Sequence, residues 1–117
     1  MQVPIGGDGK TNLKVFGTDF FWPCPSGNPY FDLIPEETDI VITHGPAMGF
    51  VDGNGGGCPS LLKRIKEIRP RLVVCGHIHS AHGVIEGTGD LEGVTFVNAA
   101  ICLDGYKVGW EPIVIDL

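Results

Sequence analysis

Asp39-Ile40-Val41-Ile42-Thr43-His44-Gly45-Pro46 and Leu72-Val73-Val74-Cys75-Gly76-His77-Ile78-His79 decide how this chain folds. Each opens as a run of β-branched and aliphatic residues, which reads as a short buried strand. Each run breaks into glycine and histidine, so the pattern predicts strands over 39–43 and 72–75 that end in turns. Between them, Cys58-Pro59-Ser60 opens a helix, because proline suits a first helical position. Leu61, Leu62, Ile65 and Ile68 recur at helical spacing opposite Lys63, Arg64, Lys66, Glu67 and Arg69, and Pro70 stops the run. Strand, helix and strand in that order make a crossover unit, so the two strands are expected to be parallel neighbours.

Outward from this unit, glycines and prolines cut the chain into short pieces. Residues 13–17, 83–86, 94–99 and 112–116 read as further strands. Residues 18–35 hold Phe20, Phe21, Trp22, Tyr30 and Phe31 among four prolines, and are expected to form an aromatic loop without helical period. Residues 47–57 form a glycine-rich loop. The fold class is therefore α/β, in one domain over 1–117. A chain of 117 residues buries roughly two thirds of the surface its unfolded form exposes, enough for a core.

Composition excludes several classes of function. Hydrophobic residues make up 43% of the chain and charged ones 19%, and mean hydropathy is +0.16, which argues against disorder. It also predicts an apolar surface that meets a partner, so self-association is expected. The net charge is -6, from 14 acidic and 8 basic residues, with no basic stripe for a nucleic-acid backbone. No apolar run approaches the roughly 20 residues of a membrane span. Residues 1–7 lack the charged and apolar regions of a secretory leader. Cysteines 24, 58, 75 and 102 include no Cys-x-x-Cys and permit two disulfides in three pairings. Cys75 and Cys102 lie in or beside apolar runs, so reduced thiols in a cytoplasmic compartment are the expectation.

The chemistry lies in the histidines. Ligands of parallel α/β sheets bind outside the carboxyl ends of the strands. Parallel strands 39–43 and 72–75 would bring His44, His77 and His79 to one such edge. Three imidazoles there favour a transition-metal site for Zn, Fe, Mn or a similar ion. On a straight strand His77 and His79 would point apart. In a loop opened by Gly76 they can address two ions. A lone histidine after a strand is usually a solvated or capped side chain, but the Gly-His-Ile-His pair is harder to dismiss. His82 is read as a rim residue, and a fourth ligand is the alternative for it. Asn54, in Gly53-Asn54-Gly55-Gly56-Gly57, and His82 are the candidate substrate contacts. The glycines could cradle a phosphate at the helix start, though a mobile loop is the plainer reading, and no Gly-Lys-Ser/Thr follows. Cys75 and Cys58 would join the histidines in a structural zinc site only if they left the core. The 20–31 aromatics read as the edge of a core, with base stacking as the alternative.

Thr43-His44-Gly45-Pro46, followed about thirty residues later by Gly76-His77-Ile78-His79, resembles the calcineurin-like metallophosphoesterases. The nearer resemblance is to the metallophosphoesterase-domain-containing subgroup. It is carried also by Leu33-Ile34-Pro35-Glu36-Glu37-Thr38-Asp39, Gly57-Cys58, Asn98-Ala99-Ala100-Ile101-Cys102 and Pro112-Ile113-Val114-Ile115-Asp116-Leu117. The resemblance implies the C-terminal half of a two-sheet sandwich flanked by helices, and phosphodiester hydrolysis at a dinuclear metal site. By it, His44 and His77 bind one metal and His79 the other. His77 also faces the phosphate, as the candidate catalytic residue. The implied substrate is a small phosphoester, of nucleotide type at most, not a nucleic-acid polymer.

The family pattern begins with Asp-x-His, Gly-Asp-x-x-Asp and Gly-Asn-His-Asp/Glu, and none of these occurs in this sequence. Gly89-Asp90-Leu91-Glu92 falls on the wrong side of Gly-His-Ile-His. Two dications about 3.5 Å apart repel by roughly 19 kcal/mol at an effective dielectric near 20, and neutral imidazoles cancel none of it. The expectation is half a site: one metal ion at most, and no activity in this chain alone. A missing N-terminal half, in a longer product or a partner, would complete it. The alternative is a non-catalytic, truncated relative that binds one metal ion, a nucleotide or a partner chain.

Overall fold

The computed structural model describes residues 2–4, 12–22, 24–103 and 105–117. Most of the 1–7 stretch read above for a leader lies outside these residues. Six strands form one sheet: β1 (Gln2–Pro4), β2 (Asn12–Gly17), β3 (Ile40–Ile42), β4 (Leu72–Cys75), β5 (Gly83–Glu86) and β6 (Thr95–Asn98). Their order across the sheet is β1-β2-β3-β4-β6-β5. The four central strands are parallel, with Val15 opposite Ile40, Ile40 opposite Leu72 and Leu72 opposite Thr95. The two edge strands run antiparallel to their neighbours. The α/β expectation and the parallel pairing of β3 with β4 both hold. The second sheet of the implied sandwich is not among the described residues.

Helix α2 (Pro59–Ile68) makes the crossover from β3 to β4. Pro59 stands at its start, and the Cys58 thiol accepts from the Leu61 amide at 3.5 Å. Arg69 ends it in the left-handed conformation, φ 48°, just before Pro70. Leu61, Ile65 and Ile68 turn inward onto Val41, Val73 and Phe96 of the sheet, together with Phe31 and Ile34. Burial of such side chains is worth about 1.5–3 kcal/mol each, so this seam carries the stability of the domain.

The sequence reading did not anticipate β1, and two further elements differ from it. Within 18–35, Pro29–Asp32 forms a single helical turn, α1, because the Asn28 side chain caps it by accepting from the Tyr30 amide at 2.9 Å. One turn is too short to show a period. Residues 112–116 do not form a strand. Val114 is 86% exposed, and no neighbouring strand supplies the ladder that an extended run needs. No helix among the described residues is long and apolar enough to cross a membrane.

Candidate histidine site

The four parallel strands end at Gly17, Ile42, Cys75 and Asn98. Loops 18–22, 43–57, 76–82 and 99–110 therefore all leave from the same edge of the sheet. The His44 turn is tied to β4 twice. The Thr43 amide donates to the Val74 carbonyl at 2.9 Å, and the Gly76 amide donates to the His44 carbonyl at 2.8 Å. These bonds bring the His44 and His77 rings to 5.1 Å, centroid to centroid.

His77 sits in a tight three-residue turn. The Ile78 amide donates to the Gly76 carbonyl at 2.8 Å, and His77 has φ 66°. Few residues other than glycine adopt that conformation, and it persists only where the surroundings impose it. The turn solves the period problem of the sequence. His79, two residues on, begins a short 3₁₀ turn and lines the same cleft as His44 and His77. That cleft measures about 530 Å³, and Cys75 and Tyr106 also line it. Burial above all, then the neighbouring His44 and His79, hold the His77 imidazole below its ordinary pKa. The direction favours the neutral form, which is the form in which an imidazole ligates metals.

Residues that sequence reasoning did not place beside the histidines stand next to them. Phe20 lies 4.4 Å from the His44 ring and 5.0 Å from the His77 ring, and Trp22 lies 4.5 Å from His77. Tyr106 meets His79 edge-on at 5.5 Å. Trp110 donates from its indole N–H to the His79 carbonyl at 3.1 Å and stacks flat on His82 at 5.1 Å. Asn98, wholly buried, donates to the carbonyls of Val51 and Ile78 and accepts from the Ala100 amide. The 20–31 aromatics divide accordingly. Phe21 stacks on Tyr30 and meets Phe31 edge-on, as a core edge should, while Phe20 and Trp22 face the histidines.

The other candidates stand apart. Asn54 is exposed in the 47–57 loop and is not among the residues lining the cleft. His82 is held by its Nδ1 contact to the Ala100 carbonyl at 2.7 Å. Cys58 and Cys75 are buried as free thiols, and burial followed by Asp52 pushes the Cys75 thiol up to about 12. Cys75 lines the cleft all the same, but its burial disfavours the thiolate, the form in which a cysteine binds metal.

A two-metal centre does not fit the groups present. Among the described residues, no three His, Cys, Asp or Glu side chains gather closely enough to hold an ion. The buried carboxylates are engaged elsewhere. Asp39 accepts from the Lys14 amide at 2.8 Å before β3, at the opposite end of the sheet. Asp52 accepts from the amides of Gly49 and Gly57 at 2.7 and 2.9 Å, closing its own loop.

No family model matches the chain. Individual relatives do. Over 94 residues, 74% of this chain, it is 45% identical to metallophosphoesterase domain-containing protein 1 of Homo sapiens, and equally to that of Mus musculus. A UPF0046 protein of Caenorhabditis elegans is 30% identical over 90% of the chain. The chain spans 27% of the length of the mammalian relatives and 42% of that of the worm protein.

Proposed function

We propose, from the premise that this chain is a relative of the metallophosphoesterase-domain-containing proteins, that it supplies the histidine side of a phosphoester-hydrolysing site. The observation that carries the reading is the meeting of His44 and His77, 5.1 Å between rings, at the carboxyl edge of β3 and β4. The family implies divalent metal ions, and His44, His77 and His79 are the donors this chain offers. The acidic ligands would come from outside it. The substrate class is a small phosphodiester, such as a nucleotide. Alone, the chain is inactive on this reading, since nothing at the cleft offsets the charge of a metal pair.

Hydrolysis of bis-p-nitrophenyl phosphate with excess Mn²⁺ tests it, with His77→Ala in parallel. The expected result is no turnover by either protein. Turnover abolished in His77→Ala would show a complete site here and overturn the half-site reading.

A further inference from the structure

We infer that Tyr106 is a stacking platform for the planar base of a nucleotide held at the histidine cleft, which makes the substrate a nucleotide-type phosphoester. This rests on the reading of His44, His77 and His79 as the phosphate end of the site. Tyr106 lines the cleft with them and meets the His79 ring edge-on at 5.5 Å. It is 83% exposed, so most of its ring is left to solvent. A ring so exposed contributes little to a core, and at the mouth of a cleft it offers a face on which a base can stack. Among the described residues, no lysine or arginine lines the cleft, and its wall includes Ala99, Ala100 and Ile101. A phosphoester bound there finds anion-holding groups at the histidines and apolar surface beside them. A bare sugar phosphate would leave that surface unused, whereas a base would cover it. The cleft volume, about 530 Å³, is in the range of small-ligand sites.

The backbone places Tyr106 there against its own preference. Its φ is 63°, an outlying value for a bulky aromatic residue. Four non-glycine residues among those described have positive φ, and two of them, His77 and Tyr106, line this one cleft. Strain of that kind gathers at ligand sites. The segment that carries Tyr106 is also fastened. Cys102 and Val108 form an antiparallel bridge, and the amides of Gly109 and Trp110 donate to the Ile101 carbonyl at 2.9 Å. The Trp110 indole N–H then ties this arm to the His79 carbonyl at 3.1 Å. The arm is closed on itself at its base and fixed to the residue it overhangs, which keeps Tyr106 beside His79.

The chain has two tyrosines, so the ring protons of Tyr106 are assigned by comparison with Tyr106→Phe. Proton NMR titration of the full chain, with Zn²⁺ present and AMP, ribose 5-phosphate and adenosine as the probes, tests the stack. AMP should shift the Tyr106 ring protons upfield and bind roughly tenfold more tightly than ribose 5-phosphate, towards the low end of what one base–aromatic stack contributes. Tyr106→Ala keeps the Cβ and with it the backbone strain, and should bring the two affinities within about twofold, while Tyr106→Phe should keep the preference. Equal affinities in the unaltered chain, or a preference that survives in Tyr106→Ala, overturn the stack and leave the reading of the histidines standing. Adenosine that shifts the Tyr106 ring, with AMP binding no more tightly than adenosine, keeps the stack and removes the phosphate-binding reading of the histidines. A Tyr106 ring that no probe shifts overturns the stack.

Discussion

Asn98 donates from its side-chain amide to the Ile78 carbonyl at 3.0 Å, and so holds the backbone between His77 and His79 from beneath. The same amide donates to the Val51 carbonyl at 3.1 Å. His77 and Val51 both have positive φ, 66° and 49°, an outlying conformation for a β-branched residue such as Val51. One buried side chain on β6 thus secures the strained segments of two loops. Asn98→Ala would remove this donor from the buried Val51 carbonyl and leave the Ile78 carbonyl with the Ala81 amide alone, and should destabilise the domain by about 1–3 kcal/mol. Asn98→Asp keeps the acceptor for the Ala100 amide but loses both donors and buries a charge, so it should do no better. Urea unfolding measures this, and a loss within about 0.5 kcal/mol for Asn98→Ala would place the support elsewhere.

Gly57→Ala should unseat the loop that faces this tie. A Cβ at Gly57 would run into the Ala47 carbonyl, which is backbone and cannot swing aside. The approach is that close because Ala47 and Cys58 form a parallel bridge, with the Cys58 amide donating to the Pro46 carbonyl at 2.8 Å. Overpacking of this kind costs about 1–3 kcal/mol. Thermal unfolding should show a lowered midpoint, while Gly55→Ala, with open space around its Cβ, should cost less despite its positive φ.

Cys75 should make the domain lose stability in alkali. Burial above all, then Asp52, raise its thiol from 9.0 to about 12. Above 9.0 the unfolded chain releases that proton and the folded chain keeps it, so unfolding is favoured as pH climbs from 9.0 towards about 12. Below 9.0 the group has no effect on the slope. Urea unfolding across that window should show a fall that is shallower in Cys75→Ala. Parallel slopes in the two proteins would mean that the thiol ionises freely in the folded state.

The framework was legible in the sequence because its signals are local. Apolar runs ending in glycine gave β3 and β4, and Pro59 and Pro70 bounded α2. Their order implied the parallel pairing that brings His44 to His77. What surrounds the histidines was not legible. Phe20 reaches His77 only because β2 pairs with β3, and Asn98 reaches Val51 across 47 positions of sequence. Nothing local distinguishes Phe20, which faces the imidazoles, from Phe21, which packs on Tyr30. The misread segment 112–116 shows the converse error: it has the composition of a strand but pairs with no strand among the described residues.

His77 is the sharpest test of whether this edge is kept for function, because its side chain and its backbone make opposite demands. The turn at φ 66° suits glycine, and a residue with a Cβ pays about 1–2 kcal/mol there. His77→Ala and His77→Gly both remove the contacts with Phe20 and Trp22, so their difference isolates the backbone. His77→Gly should exceed His77→Ala in stability by about 1 kcal/mol, even though glycine is more costly to order elsewhere in a chain. Chemical denaturation of the two variants measures this directly. Equal stabilities would mean the turn relaxes once the ring is gone, and that the ring contacts impose the strain. A clear advantage for glycine would mean that Asn98 and the Gly76–Ile78 bond fix the turn. Histidine then stands there against the preference of the backbone, as a residue retained for its chemistry does.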